Sequence, residues 1–132
     1  MERVRIRELR KEDSQKYFEW INNRELVIFN SAYSPISEMN HNIWFDSVTK
    51  NNQIKIFSIV IENDSGEEVL IGSCSLRNID ALNQSAELQI RIGEESYQNR
   101  GFGTEVTQIL VDFGFRDLNL NRIYLDVFQN NK

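Results

Sequence analysis

The sequence predicts an α+β sandwich. Three observations lead there. Two β-branched and aromatic runs, residues 54–62 and 69–77, flank Asn63-Asp64-Ser65-Gly66, a hairpin turn signal. Residues 86–92 alternate strictly between apolar and polar and pass through a glycine-containing loop into a helical pattern at roughly 103–118. The predicted order, β-α-α-β-β-β-α-β, places helices early, then an antiparallel meander, then a helix that must return to a strand.

Each element has its own warrant. Residues 4–7 alternate apolar and basic, as a short strand does. Asp13 is placed to cap a helix running to about Asn22, with Tyr17, Phe18 and Ile21 on one side. Residues 24–30 are ambiguous. Ser34-Pro35 is expected to open a second helix, 37–50, because proline fits a first helical turn. Its apolar residues are Met39, Ile43, Trp44, Phe45 and Val48. After the hairpin, residues 78–85 read as a polar connection. In the next strand Glu87, Gln89 and Arg91 share a face. The helix after the glycine loop places Val106, Ile109, Leu110 and Phe113 at i, i+3, i+4 and i+7, with Glu105, Gln108, Asp112 and Arg116 outward. Residues 118–121 turn the chain into a last strand, 122–128, with Ile123, Leu125 and Val127 on one face.

The 132 residues suffice for one domain with one core, and a 40 % apolar share with 8 Phe, 4 Tyr and 2 Trp describes a chain that folds. A net charge of −5 disfavours nucleic acid and anionic membranes as partners and favours cationic substrates. Cys74 has no second cysteine to pair with, and its apolar strand context reads as a small buried residue rather than a nucleophile. His41 is alone, so neither a triad nor a multi-histidine metal site is visible, and no Cys/His cluster has zinc spacing; no metal is expected. No apolar run approaches the roughly 18 residues of a membrane span, and no signal peptide is expected. A cytoplasmic protein is the expectation.

Tyr97-Gln98-Asn99-Arg100-Gly101-Phe102-Gly103-Thr104 lies between the alternating strand and the helix. Such a loop presents backbone N–H groups, and the first helical turn adds donors with no internal acceptor. Glycines at 101 and 103 let a ligand approach the backbone. An ordinary strand-to-helix turn that uses glycine is the alternative. The loop is neither a P-loop nor the dinucleotide fingerprint, whose third glycine is replaced by Val106.

Gln98, Gly101 and Gly103 match Q/R-x-x-G-x-G/A, and on this loop and its neighbours the chain resembles the GNAT family of N-acetyltransferases. Ile6-Arg7-Glu8-Leu9-Arg10, Ala86-Glu87-Leu88 running into Ile92-Gly93, and Asp112-Phe113-Gly114-Phe115 followed by Leu118-Asn119-Leu120 and Arg122-Ile123 are similar to its RimJ/RimL-like branch and to spermidine acetyltransferases. The resemblance implies a GNAT-like acyl-CoA N-acyltransferase fold over residues 1–132, a mixed and mostly antiparallel sheet flanked by helices. It also implies acetyl-CoA as co-substrate. Backbone groups of Ile90, Arg91 and Ile92 would meet the pantetheine arm; Gln98, Asn99, Arg100, Gly101, Phe102, Gly103 and Thr104 would wrap the pyrophosphate. Asn131 matches an asparagine near the cofactor arm. The family's usual C-terminal helix with its proton-donating tyrosine, and the closing strands, are expected to be missing after Lys132.

Acetyl transfer requires an amine that loses a proton, a polarised thioester and a fixed geometry. Glu87 is the candidate to accept that proton, directly or through water; a strand residue facing solvent or paired with Arg91 is the other reading. Glu94 and Glu95 read as loop surface charges. The expected acceptor is a primary amine, on a protein N-terminus or on a small molecule such as a polyamine. The alternative is a CoA-binding or structural module without turnover. An unpaired last strand further predicts a homodimer or larger species.

Overall fold

A computed structural model of the chain describes residues 3–22, 37–48, 50–97 and 101–125. In chain order the elements are β1 (Arg3–Glu8), a 3-10 turn (Lys11–Asp13), α1 (Ser14–Ile21), α2 (Glu38–Val48), β2 (Lys55–Glu62), β3 (Glu68–Asp80), β4 (Ser85–Ile92), a second 3-10 turn (Glu95–Tyr97), α3 (Phe102–Arg116) and β5 (Arg122–Leu125). One five-stranded sheet has the order β1-β2-β3-β4-β5. Pairing is antiparallel from β1 to β4, whereas β5 lies parallel to β4. The helix α3 forces that last direction: a strand returning through a helical crossover arrives parallel to the one it left. The mixed, mostly antiparallel α+β architecture is therefore as the sequence predicts.

Alternation divides the sheet into two faces. On one, Ile59, Ile61, Ile71, Cys74, Leu76, Ala86 and Leu88 form the core with Val106 and Leu110 of α3. Ile109, expected in the apolar stripe of that helix, is instead 37% exposed. It sits at the edge of the stripe, one turn from the exposed Glu105 and Asp112. Gly114 lets α3 settle, since a Cβ there would stand 2.6 Å from Ile123 Cδ1.

The opposite face meets α1 and α2. Asp13 does not cap α1 as expected. Its Oδ2 accepts from Arg7 Nη1 (2.8 Å), Arg10 N–H (2.9 Å) and Ser58 Oγ (2.8 Å), and its Oδ1 accepts from Arg7 Nη2 (2.9 Å). A bidentate guanidinium and a buried hydroxyl outcompete the helix amides for this carboxylate. The entry to α1 is thereby tied to β1 and β2.

His41 also has a structural place. It is buried, with Nε2 3.0 Å from the Ser14 carbonyl oxygen, which accepts its proton. Phe18, Trp44 and Phe45 surround the ring, so it joins α1 to α2. Ser37 Oγ accepts the Asn40 N–H at 3.1 Å and caps α2. The expected opening at Ser34-Pro35 lies outside the described residues. Of the apolar residues of α2, Phe45 and Val48 are buried, while Met39 and Ile43 are 74% and 63% exposed.

The hairpin forms at its expected place. Asn63 Oδ1 accepts from Ser65 N–H and Glu67 N–H, and Gly66 supplies the left-handed residue at φ 83°. The connection after β3 is shorter than expected. β3 continues to Asp80 across an irregularity between Arg77 and Asp80, with Asn78 at φ 49°. Asp80 Oδ1 then accepts from Leu82 and Asn83 N–H to turn the chain. β5 is described over Arg122–Leu125, and residues 126–128 of the expected strand lie outside the described residues.

Candidate active site

The site begins with the alternation of two central strands. From β3, Ser73, Ser75 and Arg77 project toward α1 and α2; from β4, Gln89 and Arg91 do the same. Between this polar floor and the helices lies a cavity of about 520 Å³, walled by Tyr17, Trp20, Trp44, Val48 and Ile56. Gly93 brings one wall in: a Cβ there would stand 2.1 Å from Trp20 Cδ2. Only glycine lets the indole close against the end of β4.

Arg77 Nη1 donates to Gln89 Oε1 at 2.9 Å. Arg91 is mostly buried and its Nε–H has no acceptor among the described residues. Burial, and secondarily the positive charge of Arg77, lowers the pKa of Arg91 from the usual arginine value. The Tyr17 hydroxyl is committed to Ser58 Oγ, and burial pushes its pKa well up. Cys74 faces the core, where burial raises its thiol to about 12, so it is inert as a nucleophile.

Glu87 is half-buried and occupies a row across three strands, opposite Arg77 of β3 and Tyr124 of β5. The Arg122 guanidinium lies 5.3 Å from the Tyr124 ring centroid. No ion pair joins Glu87 to Arg91 among the described residues, so that pairing is not what occupies the carboxylate. Glu87 does not itself line the cavity; it precedes Gln89 on the same face. The described parallel pairing runs from Ser85↔Arg122 to Leu88↔Leu125. Ile90 and Ile92 turn their side chains to the core, which leaves backbone as the means by which they would meet a cofactor.

Gln98, Asn99, Arg100 and Asn131 lie outside the described residues. The rest of the loop fits an anionic pyrophosphate. Gly101 precedes α3 at φ 84°, a left-handed conformation suited to glycine. Gly103 has ordinary helical backbone, and a Cβ there would meet no described residue within 4 Å. Neither conformation nor packing demands glycine at 103, whereas a ligand lying on the helix N-terminus would. Gly103 and Thr104 belong to the first turn, whose N–H groups have no intrahelical acceptor. Phe102 anchors that turn, buried against Tyr97 at 6.0 Å between centroids.

Residues 3–132 match the family model described as the acetyltransferase (GNAT) domain. The chain belongs to the GNAT acetyltransferase family. Acetyl transfer to an amine is the activity this membership carries. The chain is 28% identical over 133 residues to the uncharacterized N-acetyltransferase p20 of Bacillus licheniformis, covering 98% of this chain and 72% of that protein. It is 30% identical to spermidine N(1)-acetyltransferase of Escherichia coli K12, spanning 98% of this chain but 66% of that enzyme. A crystal structure of spermidine N-acetyltransferase from Vibrio cholerae in complex with CoA and spermine superposes with a TM-score of 0.80 at 27% identity, over 97% of this chain and 73% of that one.

Among the described residues of this GNAT domain, no group of three His, Cys, Asp or Glu side chains is placed to hold a metal, and no helix is long and apolar enough to cross a membrane. Reading the sequence alone missed the cavity, the roles of Arg77 and of the Arg91 side chain, and the Trp20–Gly93 contact. A signal was present: Ser73-x-Ser75-x-Arg77 and Gln89-x-Arg91 put polar rows on neighbouring central strands, where a two-layer fold expects apolar ones.

Proposed function

We propose that this chain transfers the acetyl group of acetyl-CoA to a primary amine carried by a small molecule. The observation that carries the proposal is the position of Glu87: a carboxylate without an ion pair to Arg91, on the face of β4 that bears the cavity. In this reading Glu87 takes the proton of the incoming amine, directly or through water. The cavity orients that amine and excludes bulk water. The first turn of α3 holds the pyrophosphate, and backbone groups of Ile90, Arg91 and Ile92 align the pantetheine arm. Bound acetyl-CoA supplies an acyl group activated as a thioester, so the amine attacks directly and no covalent enzyme intermediate is needed. The spermidine and spermine acetyltransferases among the relatives support a small-molecule acceptor over a protein N-terminus.

The test is acetylation of a panel of primary amines, followed by release of free CoA thiol. Glu87→Gln is expected to lower kcat by about a hundredfold or more, with the Kd for CoA unchanged by calorimetry. An unchanged kcat between pH 6 and 9 would assign Glu87 to the sheet alone.

A further inference from the structure

We propose that the acceptor amine of this chain also bears an oxyanion, a carboxylate or a phosphate, held in the cavity by Arg91 together with Arg77. This rests on reading the cavity as the acceptor site. Two guanidiniums and no carboxylate are found among the described residues that line it. Two nearby acids, Glu94 and Asp13, are engaged elsewhere. Glu94 pairs with Lys16 at 3.0 Å, and Asp13 pairs with Arg7 at 2.8 Å. Glu87 stands opposite Arg77 but makes no ion pair with Arg91.

Arg91 Nε is the sole buried side-chain polar atom found without a hydrogen-bond partner among the described residues. Among the described residues no counter-charge meets it, and a buried cation left so destabilises the empty protein. An oxyanion ligand relieves that cost and satisfies the forked donors, for which carboxylate and phosphate are the matching geometries. The Ser73 and Ser75 hydroxyls and the Gln89 amide share the same floor and can accept or donate further bonds. A polyamine would bring like charge against the same two guanidiniums. The net charge of −5 belongs to the whole surface and does not offset two local cations in a partly enclosed cavity.

The experiment compares matched acceptors on the full chain. 1,4-Diaminobutane is set against ornithine, which adds a carboxylate, and ethanolamine against O-phosphoethanolamine, which adds a phosphate. The anionic member of at least one pair is expected to show kcat/KM about ten- to a hundredfold higher, the range of one charge-assisted hydrogen bond. A preference in the first pair assigns the carboxylate, and one in the second the phosphate. Arg91→Gln should remove the preference, and Arg77→Gln should weaken it. Arg91→Gln should also raise the Tm of the unliganded protein, which shows that the variant folds. Calorimetry without acetyl-CoA provides a second readout: the preferred anionic amine binds the wild type and not Arg91→Gln. Acetylation of both members of each pair at equal rates overturns this inference and leaves acetyl transfer standing. If no amine is acetylated, acyl transfer fails as a reading; calorimetric binding of neither anionic amine would then overturn the anion site as well.

Discussion

Asp13 concentrates more structure than its place at the start of a helix suggests. Burial pushes its carboxyl upward, but bonds from Arg7, the Arg10 amide and Ser58 outweigh that and hold it below the ordinary carboxylate range. The folded state therefore resists protonation. The resulting stability is fully present above the unfolded carboxylate value of about 4 and is lost as pH falls through the depressed folded value. Asp13→Asn should cost about 1.5–3 kcal/mol at neutral pH, because Arg7 loses its bidentate carboxylate and keeps only the ion pair to Glu68. Urea titrations of wild type and variant should converge on acidification below the carboxylate range. Parallel curves at all pH values would show that the pair contributes nothing ionic. A second residue-scale prediction concerns Gly93. Gly93→Ala must displace the Trp20 indole, 2.1 Å from the added carbon, so tryptophan fluorescence should shift and Tm should fall. Unchanged emission would mean that Trp20 does not seat there.

At the scale of elements, the start of α3 separates two kinds of glycine. Gly101 is required by its backbone: an L-residue at φ 84° carries a penalty of about 1–2 kcal/mol, so Gly101→Ala should lower stability by that amount. Gly103 has no such demand. Gly103→Ala should leave unfolding unaffected or stabilise it by up to about 1 kcal/mol, as alanine does in a helix. Gly103→Val should keep its Tm yet lose CoA affinity by calorimetry, because its side chain fills the open space above the first turn. Equal CoA affinity in wild type and Gly103→Val would remove the loop from the cofactor site.

Across the whole molecule, the two faces of the sheet are packed unequally. The largest fully buried side chains, among them Ile59, Ile61, Ile71, Leu76, Val106 and Leu110, come from the sheet and α3. On the other face α1 and α2 close over a cavity, and α2 leaves Met39 and Ile43 largely exposed. Fewer buried apolar contacts mean lower local opening energies. Native-state hydrogen exchange should therefore show α1 and α2 opening before α3 and β2–β4, and an acceptor in the cavity should slow their exchange most. Uniform protection across all three helices would contradict this picture.

How much could be read in advance follows from the range of each interaction. Periodicity and turn chemistry are local, so they located five strands, three helices, the Asn63–Gly66 turn and the glycine loop before α3. The polar row Glu87, Gln89, Arg91 was equally visible, because alternation depends only on the pleat of one strand. What that row faces depends on a second strand and two helices far away in sequence. Ser73, Ser75 and Arg77 come beside it only through the β3–β4 register, and Trp20 closes the cavity only because residue 93 lacks a Cβ. Asp13 illustrates the same limit: its sequence neighbours suggest a helix cap, while Arg7 and Ser58, brought in by the sheet, claim its oxygens. Local chemistry thus determined the elements and the family resemblance. Tertiary packing decided which charges are buried together, since burial and strand register are properties of contacts that no short window of sequence contains.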